Sequence, residues 1–279
     1  MRLARVTRNG KIGLAAKSGN AVTMAFGADL ADLDAHIAAG TLAEAGAKAA
    51  AGEAVDEATL NFLPPITKPS KIICLGLNYR DHAEESGLGI PEFPVLFARF
   101  PSSLTGHGAP VILPKVSSQL DWEAELVVVL SKGGKNIGEA DALNHVAGYS
   151  VFNDASIRDY QLRTPQWTAG KNFDDTGAFG PYLVTPEELP AGAAGLKIEC
   201  RVNGQIMQSS NTGNLIFTVA NTIHRLSTFM TLEAGDMLVM GTPGGVGVAR
   251  DPQVWMKAGD VCEVEIEGVG LLSNPIVAE

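Results

Sequence analysis

Glu123 and Glu125 stand two residues apart at the head of a run, Leu126-Val127-Val128-Val129-Leu130, that is otherwise built for burial. A continuous apolar run of this kind reads as a strand covered on both faces. The two-residue period of a strand then points both carboxylates to the same side. Two neighbouring carboxylates cannot both stay ionised out of water unless a cation or a shared proton compensates them. The chain is therefore expected to fold around a buried strand that carries either a metal site or a carboxylate dyad. A solvated surface strand is the competing reading of Glu-x-Glu, and the apolar run argues against it. Asp121 shares the parity of the pair but precedes the run, which suits a capping or supporting carboxylate.

The rest of the chain reads as a β-rich α+β protein. Its 279 residues suffice for one large domain, or a large one with a small appendage. Residues 1–68 read as a small N-terminal α/β module: a hairpin turning at Asn9-Gly10, then an Ala-rich stretch of helical composition from Ala28 to Ala58, closed by Pro64-Pro65. Residues 69–279 form the larger unit. Strands are expected at Lys71–Gly76, Phe93–Phe100, Val111–Leu113, Trp122–Leu130 and Ala147–Asp154, with closing strands at Met237–Met240 and Val261–Ile266. A hairpin turning at Asn203-Gly204 joins Leu196–Val202 to Gln205–Gln208. Asn78 to Gly87 reads as a short polar helix ended by glycine, Ala140–Val146 as helical, and Leu215–Met230 as an amphipathic helix.

Composition narrows the partners. A formal net charge of -10 with 21 lysines and arginines argues against nucleic acid and anionic membrane surfaces. Cys74, Cys200 and Cys262 are far apart, each inside an apolar or strand-like run, which is a reduced, cytoplasmic pattern. No segment has the length of a transmembrane helix, and Met1–Val6 does not open a signal-peptide core. The third oxygen ligand is expected from Asp154, at the end of a strand-like run. Three carboxylates suit Mg2+, and equally Mn2+ or Ca2+; zinc would recruit His or Cys. The glycines of Gly241–Gly247 lack the Gly-Lys-Ser/Thr ending of a phosphate loop.

Five motifs in order carry a family resemblance. Gly76-Leu77-Asn78-Tyr79-Arg80-Asp81-His82, Glu123-Ala124-Glu125-Leu126, Gly148-Tyr149 with Asn153-Asp154, Trp167 to Phe173, and Gly241-Thr242-Pro243-Gly244-Gly245-Val246-Gly247 are together similar to the fumarylacetoacetate hydrolase family over residues 70 to 277. More narrowly, they resemble its acylpyruvase and 2-hydroxymuconate isomerase-decarboxylase branch. The resemblance implies a mixed β-sandwich roll, a homodimer, and action on a 2-oxo acid with a divalent metal. It makes Glu123, Glu125 and Asp154 the metal ligands and Lys171 the active-site lysine, beside Trp167 or Phe173. His82 and Glu85 resemble the lid-helix pair; at i and i+3 they share a helix face, where the carboxylate can orient the imidazole to take a proton from water. The lid segment 82–94, with Gly87, Gly89, Pro91 and Pro94, is expected to move. Thr242, Gln161 and Tyr79 are the implied substrate contacts, and Leu77 and Arg99, which depart from common family residues, are expected at the distal substrate end.

The resulting expectation is hydrolysis of a C-C bond in an acylpyruvate or 2,4-diketo acid, through an enolate stabilised at the cation. The alternative is an isomerase or decarboxylase of carboxymethyl-hydroxymuconate-type intermediates or of oxaloacetate. A non-catalytic metal-binding scaffold is the reading from another class. His36, His145 and His224 read as structural or exposed, whereas the loop of His107 could approach the pocket.

Overall fold

The N-terminal hairpin forms as its turn chemistry dictates. Arg2–Arg8 pairs with Lys11–Ser18 around Asn9 and Gly10, both at positive φ (50° and 75°), the left-handed pair a tight hairpin turn needs. The computed structural model describes residues 1–85 and 89–279; Gly87, expected to end a helix, lies outside them.

The hairpin is one part of a twelve-stranded sheet. From one edge the strands run Glu53–Val55, Ala21–Phe26, Lys11–Ser18, Arg2–Arg8, Gly177–Val184, Val146–Asp154, Ala124–Leu130, Met237–Val239, Ile72–Gly76 and Val95–Arg99. Two short strands, Asn61–Phe62 and Leu104–Gly106, pair to its side. The first 68 residues thus share hydrogen bonds with the rest, through Arg2 opposite Val184 and Leu3 opposite Leu183. A five-stranded sheet packs against this one and includes the hairpin Lys197–Val202 and Gln205–Asn211, which turns at Asn203-Gly204 as expected.

Ala124–Leu130 lies in the middle of the large sheet, and every residue in it is buried. Its two faces serve different cores. Ala124, Leu126, Val128 and Leu130 pack with Ile198, Cys200 and Val264 of the smaller sheet. Val127 and Val129 face the other way, into a core closed by Leu33, Ile37, Ala45 and Ala49 of the N-terminal helices. This double burial is what its unbroken apolar pattern required.

Several elements differ from their expected bounds. The Ala-rich stretch is two helices, Leu33–Ala39 and Leu42–Ala50, because Gly40 takes a left-handed φ of 70° and caps the first. The second stops before Gly52, where a Cβ would lie 2.2 Å from Met24 O, and Glu53–Val55 then joins the sheet. The amphipathic helix is Val219–Phe229; its start is set by Thr218, whose side chain accepts from Asn221 N. Ala140–Val146 is covered by a 3-10 segment, Glu139–His145. The strand expected from Trp122 begins at Ala124, and Leu120–Asp121 pairs separately with Ser156–Ile157. None of the described helices is long and apolar enough to cross a membrane.

Candidate active site

Two adjacent strand ends bring the carboxylates together. Ala124 stands opposite Asn153 in the register of Ala124–Leu130 with Val146–Asp154. Asp154 N donates to Glu123 O (2.9 Å), and Glu123 N donates to Asn153 Oδ1 (3.1 Å), which fixes Glu123 just outside the regular strand. Oxygen atoms of Glu123, Glu125 and Asp154 all lie within 4.8 Å of one another, and all three residues are buried.

Three cations answer them. Lys171 Nζ donates to Glu123 Oε2 (2.5 Å) and Asp154 Oδ2 (2.7 Å). Arg158 Nη1 pairs with Glu123 Oε1 (2.7 Å) and donates to Gln161 Oε1 (2.8 Å), while its Nε donates to Asp121 Oδ2 (2.7 Å). Arg99 pairs with Asp154 Oδ1. Asp121 also accepts from Gly247 N (2.7 Å) and Val248 N (3.0 Å), so it is the supporting carboxylate its position suggested. With Asp121, Glu123, Glu125 and Asp154 set against Arg99, Arg158 and Lys171, four minus three leaves one negative charge when all are ionised.

The titration of the cluster follows from who is paired. Burial, then the charges of Asp154 and Glu123, push the Glu125 carboxyl well above the usual carboxylate range, and Gly241 N, which donates to its Oε2, offsets this only in part. Burial acts in the same direction on Asp154, but Lys171 and Arg99 outweigh it and hold that carboxyl low. Lys171 is raised because Asp154 and Glu123 overcome the desolvation of its ammonium.

Glu123, Glu125, Arg158 and Lys171 line a cavity of about 120 Å3, whereas Asp154 and Asp121 stand outside its lining. His82, Glu123, Glu125, Gln161, Lys171 and Thr242, all expected at the site, meet in it. His82 Nδ1 lies 3.3 Å from Glu85 Oε2, in the helix Arg80–Glu85. Glu85 also accepts from Gly245 N (3.0 Å), which ties that helix to the Gly-Thr-Pro turn; the imidazole and this amide hold its carboxyl below the usual range against burial. Leu77 lines the cavity with φ at 54°, a left-handed conformation unusual for leucine. Its loop is pinned by Asn78, whose side chain bonds Phe217 N, Phe217 O and Met240 O.

Two implied substrate contacts stand elsewhere. Arg99 is 2 % exposed and turned behind Asp154, with Nη2 donating to Ala155 O (2.6 Å), so it braces Asp154 and does not line the cavity. Tyr79 is fully buried in the core, and among the described residues its hydroxyl has no hydrogen-bond partner. The aromatic beside Lys171 is Phe97, its ring centre 4.9 Å from Nζ; Trp167 packs edge-on to Phe97, and Phe173 packs on Tyr160. His107 lies away from the cavity, its Nδ1 accepting from Ser273 N and its ring against Phe62. Arg158 is the residue the sequence reading passed over. It lines the cavity, and among the described residues its buried Nη2 has no partner.

The donor set fits a hard divalent cation: three carboxylates and no His or Cys among the clustered groups. Every oxygen has lone pairs beyond the one its present partner uses. Because Glu125 holds its proton above the ordinary range, a cation must displace that proton. Apparent Mg2+ affinity is therefore expected to rise with pH, by up to about tenfold per unit below the Glu125 pKa, and then level off. Calorimetry in buffers of different ionisation enthalpy checks this: the wild type releases a proton on binding, and a pH-independent affinity without proton release contradicts it.

Comparison with known proteins places these residues in context. Residues 71–277 match the family model described as fumarylacetoacetate (FAA) hydrolase C-terminal. The mitochondrial oxaloacetate tautomerase fahd2 of Xenopus laevis is 45% identical over 225 residues, 80% of this chain and 70% of that protein. Among solved structures, a fumarylacetoacetate hydrolase from Exiguobacterium antarcticum superposes with a TM-score of 0.88 at 31% identity over 100% of both chains. A 5-carboxymethyl-2-hydroxymuconate delta-isomerase from Mycobacterium smegmatis superposes with a TM-score of 0.79 at 29% identity, over 100% of this chain and 99% of that one.

Proposed function

The chain belongs to the fumarylacetoacetate hydrolase family, and on that premise we propose that it is a metal-dependent isomerase of small 2-oxo acids, interconverting the keto and enol forms of an oxaloacetate-like dicarboxylate. The observation that carries this reading is the seating of Lys171 and Arg158 on the carboxylate trio, in the same cavity as His82. Glu123, Glu125 and Asp154 would hold a divalent cation, with Mg2+ the first choice and Mn2+ or Ca2+ close behind, which would supply Lewis acidity toward the substrate's 2-oxo group. Lys171 Nζ and Arg158 Nη2, which has no partner among the described residues, stabilise negative charge as it grows on the 2-oxo oxygen. His82, oriented by Glu85, takes the C3 proton of the keto form, and the imidazole, whose proton exchanges with water, gives one to the 2-oxo oxygen to yield the enol; the reverse takes the enol hydroxyl proton and delivers one to C3. The ionised site carries one negative charge, so a bound divalent cation makes it positive by one, which favours an anionic substrate.

Tautomerisation moves one proton and needs no second reactant. That economy suits the small cavity, and the names of the tautomerase and isomerase relatives point the same way. C-C hydrolysis of an acylpyruvate is the second reading, favoured by the His82–Glu85 contact, which can equally activate a water. Purified protein with Mg2+ and either oxaloacetate or acetylpyruvate separates the two. The expected result is accelerated loss of the oxaloacetate enol absorbance without pyruvate release, and slow or no cleavage of acetylpyruvate. Comparable kcat/KM for acetylpyruvate cleavage would move the assignment to hydrolysis, pyruvate from oxaloacetate would move it to decarboxylation, and inertness toward both would favour a non-catalytic scaffold.

A further inference from the structure

Gln208 sits where a strand bulges. Cys200 stands opposite Gln208 and Arg201 opposite Ile206, so Met207 is the inserted residue of Gln205–Asn211. Met207 and Gln208 are consequently both buried, between exposed Ile206 and Ser209. The bulge sends the Gln208 amide between the metal-ligand strand and the Gly-Thr-Pro turn. Its Oε1 accepts from Ala124 N (2.9 Å), and its Nε2 donates to Pro243 O (2.8 Å) and to Thr242 Oγ1 (2.8 Å).

Two of these partners can play one role only. A backbone N-H donates and a carbonyl oxygen accepts, so Ala124 and Pro243 together fix which end of the amide is nitrogen. Thr242 Oγ1 must then accept from Gln208, and its own proton has to go elsewhere. Among the described residues the Thr242 hydroxyl donates to no partner, and Thr242 lines the cavity. We infer that Gln208 is a positioning residue, which makes the Thr242 hydroxyl an obligate hydrogen-bond donor to a carboxylate or enolate oxygen of the substrate. The inference rests on the reading of the cavity as a 2-oxo acid site.

Gln208→Glu tests it with almost no change of shape. The carboxylate still accepts from Ala124 N, but it offers Thr242 an acceptor in place of a donor, and the hydroxyl then turns toward residue 208 and away from the cavity. Oxalate binding to the Mg2+-loaded protein is the primary readout, with kcat and KM on oxaloacetate beside it. Losing a hydrogen bond to a charged ligand is expected to weaken oxalate about tenfold in Gln208→Glu, as in Thr242→Val. In the Thr242→Val background, Gln208→Glu is expected to cost less than about twofold more, because the bond it spoils is already gone. Gln208→Met, which removes the donor without adding charge, is expected to give a smaller loss that also vanishes in that background. Equal losses with and without the Thr242 hydroxyl, unchanged oxalate affinity in Gln208→Glu, or loss of Mg2+ binding in both Gln208 variants would overturn the inference and assign Gln208 to holding the ligand strand. Failure of the wild type to bind oxalate with Mg2+ would instead count against the reading of the cavity.

Discussion

Lys171→Met is expected to cost the metal-free protein roughly 3–5 kcal/mol of stability, because it strips the shared partner from two buried carboxylates. Lys171 is 1 % exposed and its ammonium bridges Glu123 Oε2 and Asp154 Oδ2, so solvent screens neither contact. Methionine fills similar space against Phe97 and leaves the charge as the main variable. Mg2+ is expected to return part of the lost stability, since a divalent cation bound only by the folded protein supplies charge at the same oxygens. Activity does not return with it: kcat is expected to fall about 10²–10³-fold, as when a donor aimed at developing negative charge is removed. Urea unfolding with and without Mg2+, run beside steady-state kinetics, checks both parts. A stability within about 1 kcal/mol of wild type, or an unchanged kcat, would show that Lys171 is a spectator.

His82→Ala separates proton transfer from binding. The imidazole pairs with Glu85 and, among the described residues, is not part of the clustered carboxylate group, so Mg2+ affinity and melting temperature are expected to stay near wild type. The rate is expected to drop about 10²–10⁴-fold, the range for loss of a positioned general base. Glu85→Gln is expected to lie between the two, because it keeps an acceptor for Gly245 N but loses the charge that orients the ring. A His82→Ala variant with full activity would remove the base from this scheme and shift attention to Lys171.

The carboxylate trio was legible because it follows from short-range rules. A strand's parity aligns Glu123 with Glu125, and an apolar run implies burial, even though the regular strand begins only at Ala124. Arg158 was not legible, since its place beside Asp121 depends on the pairing of Leu120–Asp121 with Ser156–Ile157, a contact between segments far apart in the chain. Arg99 was misplaced for the same reason: nothing local shows that the strand Val95–Arg99 ends behind Asp154. The Tyr79 side chain follows the turn of its loop into the core, although its neighbours Leu77 and His82 line the cavity. Gln208 was hidden by a bulge, which breaks the alternation that a strand reading relies on. The hairpin turns at Asn9-Gly10 and Asn203-Gly204 were readable because two residues suffice to specify them.

Proton exchange at C3 of oxaloacetate in deuterated water tests the central claim most directly, because it follows the proton that the proposed reaction moves, whatever product is later formed. Nuclear magnetic resonance is expected to show wild-type protein with Mg2+ accelerating deuterium entry at C3 well beyond Mg2+ alone. Glu125→Gln, which removes a ligand charge and keeps the shape, is expected to return exchange to that background. Exchange no faster than with Mg2+ alone for the wild type, or undiminished in Glu125→Gln, would contradict the assignment of this cavity as a metal-dependent enolisation site.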